Sequence, residues 1–131
     1  MSSIFRILLS GAFCLSSSSA IACGLLELTS KELDLVLREN ASPIVIVFCS
    51  VWATHCPTYL KTTNDVACKQ PNTAFLKLEL DANTDKAQEL SIRHLPTTLI
   101  FRNRKEVRRV IGAISSEKLE SILRQNGIYA D

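Results

Sequence analysis

The segment Ile44-Val45-Ile46-Val47-Phe48 limits the possible folds of this chain more than any other. Its apolar residues are consecutive and mostly β-branched, which is too dense a run for a strand with one wet face. A strand of this kind is buried on both sides, and that burial requires helices above and below its sheet. The rest of the chain must therefore supply helices. At 131 residues, 47% hydrophobic and 21% charged, it has the proportions of one ordinary globular domain. The 15 basic and 13 acidic residues give a formal charge of +2, and no basic run carries interleaved aromatics, so a nucleic-acid partner is not expected. Outside the N-terminus no apolar stretch reaches the length of a membrane span.

Helices and further strands are legible on both sides of that run. Thr29-Ser30-Lys31-Glu32 is a capping box, with Leu33, Val36 and Leu37 following at helical spacing and Asn40 to Pro43 ending the helix. Cys56 to about Lys69 reads as a second helix with Tyr59, Thr62 and Val66 on one side, closed by Pro71-Asn72. Ala74 to Leu80 predicts a second strand, and Thr84 a cap for a short helix through Leu90. Thr97 to Phe101 is a third strand, turning at Asn103-Arg104-Lys105 into a hairpin partner, Glu106 to Ile111. Ser115 or Ser116 opens the last helix, with Leu119, Ile122 and Leu123 inward and Gly127 at its C-terminal cap. This order predicts a single α/β domain with a mixed sheet covered on both faces.

Residues 1–22 read differently from the rest. Arg6 is their one charge; an apolar run from Ile7 to Leu15 follows, then Ser16 to Ser19 and the small-residue pattern Ala20-Ile21-Ala22. That arrangement is a signal peptide or membrane-targeting segment, and it predicts export to a periplasmic or secreted location. An organellar transit peptide and an uncleaved membrane anchor are the rival readings, and Cys23 directly after the small residues is a candidate lipid-modified N-terminus. The domain proper then spans residues 23–131 and holds Cys23, Cys49, Cys56 and Cys68. Export permits disulfides among them, but their number alone does not pair them.

Ser91-Ile92-Arg93 and Leu95-Pro96-Thr97, followed by Leu99-Ile100-Phe101, resemble the thioredoxin segment that reads roughly Y-x-I-R-x-I-P-T-x-x-x-F. Leu78-Glu79-Leu80-Asp81 resembles the strand before it, and Val110-Ile111-Gly112-Ala113 the V-G-A before the final helix. Phe48 and Trp52 fall where the family has F-W-A-x-W-C-G-P-C. The likeness covers about residues 25 to 128. It implies a thioredoxin fold, a cis peptide bond at Pro96 beside the redox site, and a Leu95 backbone that pairs with an extended peptide substrate. Trp52, Leu95 and Pro96 are thus the candidate substrate-binding residues.

The motif departs from the family at the chemistry itself. Val51-Trp52-Ala53-Thr54-His55-Cys56-Pro57-Thr58-Tyr59 contains no C-x-x-C, so Cys56 is the one cysteine that the motif retains and the candidate catalytic residue. In an ungapped register Ala53 replaces the attacking cysteine and Cys56 is the resolving one. In a second register, resembling the W-A-T-W-C-P-P-C of exported thioredoxin-like reductases, Cys56 attacks and Tyr59 stands for the missing partner. Cys49, His55, Lys77 and His94 are auxiliary candidates. Lys77 matches the family's partner lysine, while Val47 stands where the ungapped register expects a buried aspartate. Either histidine, placed near a thiol, can stabilise a thiolate or move a proton, and either can equally be a solvated surface residue. A Cys49–Cys56 pair would be an unusual substitute couple; free cysteines are more often buried hydrophobes. Cys68 reads as a packed thiol or a link to another chain. No zinc-type ligand spacing joins Cys49, His55, Cys56 and His94, and neither a metal nor another cofactor is expected.

The expected activity is thiol–disulfide exchange on protein disulfides or mixed disulfides through Cys56 alone, completed by glutathione or a partner reductase. One rival is a redox-inactive module that binds peptides in the Trp52–Leu95–Pro96 groove. Another is a structural subunit anchored through Cys56 or Cys23 to a partner or a lipid.

Overall fold

The computed structural model describes residues 23–129; the targeting segment expected at residues 1–22 lies outside them. Along the chain run β1 (Leu26–Glu27), α1 (Ser30–Glu39), β2 (Ile44–Cys49), α2 (Cys56–Ala67), β3 (Ala74–Glu79), α3 (Thr84–Glu89), β4 (Thr97–Arg102), β5 (Lys105–Ile111) and α4 (Ser116–Gln125). One five-stranded sheet has the order β1-β3-β2-β4-β5. β2 lies at its centre, parallel to β3 and antiparallel to β4, so that Ile46 sits between Leu76 and Leu99. This mixed sheet with helices on both faces is the thioredoxin fold.

Every residue of β2 is buried. Ile44, Ile46 and Phe48 pack with Leu33 and Val36 of α1 and Ala87 of α3. Val45, on the opposite face, packs with Val66 of α2 and with Leu119, Ile122 and Leu123 of α4. Val47 and Cys49 continue that second face toward Cys56 and Tyr59. The period-2 alternation of a strand thus divides one apolar run between two cores.

The capping box at α1 is formed in both directions: the Thr29 amide donates to Glu32 Oε1 at 2.9 Å and the Glu32 amide to Thr29 Oγ1 at 3.2 Å. Several local expectations shift. Thr63, not Thr62, is buried on the inward side of α2. Leu80 leaves the strand and opens a 3-10 turn, Leu80–Ala82. Asn83 rather than Thr84 is the residue before α3, and its carboxamide works across the fold. Its oxygen accepts from the Ser30 amide at 2.9 Å and the Ser30 hydroxyl at 2.7 Å, while its nitrogen donates to the Glu79 carbonyl at 2.8 Å. Strand β1 has no sequence signature because its two residues are exposed; its position comes from pairing with Leu76 and Lys77 of β3.

Lys86 is buried between α3 and α1, where its ammonium meets Asp34 and, at 2.9 Å, Glu89. Burial alone would push that ammonium down, but the two carboxylates outweigh it and hold its pKa above the ordinary lysine value. The hairpin arginines are not all solvated. Arg102 donates to the Asn126 carbonyl, Arg104 to the Arg38 carbonyl, and Arg109 to the carbonyls of Leu90 and Ser91.

Replacing the fully buried Leu99 by alanine is expected to cost about 2–5 kcal/mol, from lost transfer energy and a cavity between the sheet and the helices α1 and α3. Thr29→Ala, which removes one capping box on the surface, is expected to cost about 1 kcal/mol. Urea unfolding of both variants with disulfides intact measures the difference.

Candidate functional site: a buried cysteine pair beside an open cleft

β2 ends at Cys49 with its side chain on the α2 face, and the chain then turns back through residues 50–55. The Ala53 amide donates to the Ser50 carbonyl at 3.2 Å and the Cys56 amide to the Ala53 carbonyl at 3.1 Å. α2 begins at Cys56, with Pro57 in the first turn, where a missing N–H costs no helical hydrogen bond. These turns bring the Cα atoms of Cys49 and Cys56 to 5.6 Å, and the two sulfurs form a disulfide. The expectation of a lone thiol at Cys56 is corrected here. The second sulfur comes from the strand end, not from within the motif.

The other two cysteines are also paired. Cys23 and the α2 C-cap residue Cys68 form a disulfide across 45 residues. Cys68 is therefore neither a packed free thiol nor a link to another chain. The Cys23 sulfur, which a lipid thioether would occupy, is bonded within the domain.

Cys49 and Cys56 are 3% and 1% exposed and share a cluster with Val47 and Tyr59, against which Leu25, Ala53 and Leu95 pack. Tyr59 and Val66 face inward, as the ungapped register requires. No carboxylate occupies position 47. The polar contact within this core is instead a 2.7 Å hydrogen bond between the Tyr59 hydroxyl and Thr98 Oγ1. Burial raises the Tyr59 pKa above its ordinary value, and the bond to Thr98 offsets part of that rise.

A polar network borders the pair on its outer side. The Ser50 amide donates to Cys56 Sγ at 3.4 Å, and the Ser50 hydroxyl donates to Asp81 Oδ2 at 3.4 Å. Trp52, 63% exposed, donates its indole N–H to both Asp81 oxygens, at 3.2 and 3.0 Å. Beside this network an open cleft of about 610 Å³ is lined by Trp52, Ala53, His55, Arg93, His94 and Leu95, among others. Both histidines are exposed there. His55 is the N-cap of α2 but makes no side-chain capping bond.

The Leu95–Pro96 peptide is cis, Pro96 is buried, and the Pro96 carbonyl accepts from the Gly112 amide at 2.8 Å. Trp52, His55, His94 and Leu95 thus gather at one cleft next to the cysteine pair, whereas Lys77 does not join them. Lys77 lies beside Val47 in the β2–β3 register, and its ammonium is 3.9 Å from Glu27 Oε1. Sequence reasoning gave no role to Ser50, Tyr59–Thr98 or Asp81. Asp81 had a signal, its place at the end of Leu78-Glu79-Leu80-Asp81, but its partners come from distant turns. No group of three or more His, Cys, Asp or Glu side chains among the described residues is arranged to hold a metal ion.

Tyr59→Phe leaves the buried Thr98 hydroxyl unpaired and is expected to cost about 1–3 kcal/mol. It also removes a pH dependence. A tyrosine whose pKa is raised on folding binds its proton more tightly in the native state, so stability falls as pH rises above about 10, the unfolded value. Urea midpoints at pH 8 and above pH 10 are expected to fall less for Tyr59→Phe than for the wild type.

Known proteins resemble this chain over nearly the whole domain. The sequence model of the Thioredoxin family matches residues 24–125. Thioredoxin AMT13 of Alternaria alternata is 32% identical over 97 residues, covering 74% of this chain and 81% of that protein. Thioredoxin H5 of Arabidopsis thaliana is 28% identical over 110 residues, covering 84% and 92% respectively. The crystal structure of thioredoxin NaTrxh from Nicotiana alata superposes with a TM-score of 0.73 at 26% identity, covering 83% of this chain and 97% of that one. With the family model spanning most of its length and the fold shared, the chain belongs to the thioredoxin family.

Proposed function

We propose that this thioredoxin-like redox protein exchanges thiols and disulfides with protein or peptide substrates through Cys56, and that Cys49 takes the part of the missing motif cysteine. The observation that carries this reading is the disulfide between the last residue of the central strand and the first residue of α2, next to an open cleft. The N-terminus of a 12-residue helix favours negative charge, and the Ser50 amide already points at Cys56 Sγ. Both features favour a thiolate at Cys56 over one at Cys49.

In the reduced protein the Cys56 thiolate attacks one sulfur of a substrate disulfide. The other substrate sulfur leaves as a thiolate and takes up a proton. The Cys49 thiolate then attacks Cys56 Sγ, closing the intramolecular disulfide and releasing the second substrate thiol. Two electrons pass to the substrate, and an external dithiol or two molecules of glutathione return them. In this reading Trp52, Leu95 and Pro96 seat the substrate chain, and His55 and His94 border the reacting sulfur. An exported setting fits the two disulfides, since an oxidising compartment maintains such bonds.

A second reading rests on one specific observation: both sulfurs are almost fully buried and neither lines the cleft. The pair would then be a staple for residues 50–55 in a redox-inactive peptide-binding module. Reduction of a disulfide-bonded peptide with dithiothreitol as donor separates the two. Cys56→Ser is expected to abolish turnover, and Cys49→Ser, reduced beforehand and freed of dithiothreitol, to accumulate a mixed disulfide between Cys56 and the peptide, visible by mass. A wild-type protein with no turnover above the buffer reaction overturns the redox reading in favour of the staple.

A further inference from the structure

The two disulfides differ in what can reach them. Cys23 and Cys68 are both exposed, whereas Cys49 and Cys56 are buried. Both pairs are attached to α2, which begins at Cys56 and is C-capped by Cys68. Between Cys23 and the sheet runs a short segment that closes over the buried pair. Gly24, at φ +110°, lies so close to the Asn64 carboxamide of α2 that a Cβ there would collide with it. The Leu25 amide donates to Asn64 Oδ1 at 3.0 Å. The Leu25 side chain packs against the cluster that contains Cys49, Cys56 and Tyr59, and also against the neighbouring core. Residues 23–25 thus form a clasp: a covalent tie at one end, a hydrogen bond in the middle, and an apolar cover on the redox cluster.

We propose that Cys23–Cys68 is a second thiol–disulfide site, open to small solvent thiols, and that its reduction loosens the clasp and exposes the Cys49–Cys56 pair. A small thiolate attacks one of the two exposed sulfurs and the other leaves as a thiolate. A second small thiol resolves the mixed disulfide, so that two electrons enter the protein and one small-molecule disulfide is released. Exposed disulfides are the labile ones because the attacking thiolate needs a clear approach. Once the tie is open, Leu25 is held by Asn64 and by the two-residue pairing of β1 with β3, a small barrier to local opening. The inference rests on the proposed redox role of Cys49–Cys56 only for what the clasp controls; the clasp itself is read from exposure and packing.

The test uses the oxidised full-length domain, titrated with glutathione, with thiols quenched over time by two mass-distinct alkylating reagents and located by peptide mass spectrometry. Cys23 and Cys68 are expected to be labelled first, about tenfold ahead of Cys49 and Cys56, a rate ratio equivalent to about 1.4 kcal/mol. Leu25→Ala, which leaves both disulfides in place, is expected to speed reduction of Cys49–Cys56 by a similar factor. Equal or reversed labelling order in the wild type overturns the proposal, as does a Cys49–Cys56 reduction rate that neither Leu25→Ala nor prior opening of Cys23–Cys68 changes. The labelling order requires no enzymatic turnover, so a failure of peptide-disulfide reduction leaves it standing, and a failure of the order leaves turnover standing.

Discussion

β2 has no wet face, and the rest of the molecule is arranged around that constraint. A strand apolar on both sides must be flanked by strands at its edges and by helices above and below. Here β3 and β4 occupy the edges, α1 and α3 close one face, and α2 and α4 close the other. The backbone of the sheet separates the two cores. Burial sets the position of its last residue, Cys49, as firmly as that of Ile46. The disulfide-bonded pair therefore begins on the fully buried central strand, and its second cysteine is delivered by the helix that covers the same face.

That placement defines the character of the site. A cysteine pair built between a strand end and a helix start is deeper than one contained in a helix turn. The sulfurs sit in an apolar cluster with Tyr59 and Val47, while the polar groups that could assist exchange lie on the outer rim: Ser50, Asp81, Trp52 and the two histidines. The Tyr59–Thr98 bond pairs two buried hydroxyls in this core, so that neither is left unsatisfied. Burial and reactivity oppose one another here. In the proposed exchange at Cys56, residues 50–55 or the Leu25 cover must yield, and both are small segments held by few bonds.

The asymmetry between the two disulfides follows from the same geometry. α2 is anchored covalently at both ends, but one anchor is in the core and the other is in solvent. A cross-link that closes a 45-residue separation constrains the unfolded chain more than one that closes seven. The exposed tie thus bears more on stability than the buried one.

Much of the fold was legible in the residues because it depends on local periodicity and turn chemistry. The two-faced strand, the capping box at Thr29, the hairpin around Asn103 and the inward triad Leu119, Ile122 and Leu123 each follow from spacing alone. Sequence likeness pointed to Trp52 and Leu95, which line the cleft, and to Pro96, which is buried next to Leu95 in the chain. It offered Cys49 only as an auxiliary candidate, because a motif describes cysteines within one turn of helix and Cys49 lies in the strand before it. Which sulfurs meet is decided by where the chain turns back: seven residues for Cys49 and Cys56, 45 for Cys23 and Cys68. The same holds for Asn83 with Ser30 and for Asp81 with Trp52, polar contacts joined across the fold by packing and carrying no local signature. Apart from β1 and the 3-10 turn, the order and type of the elements were determined by the sequence on its own. Which cysteines pair was decided only when tertiary packing brought one end of a strand to the beginning of a helix.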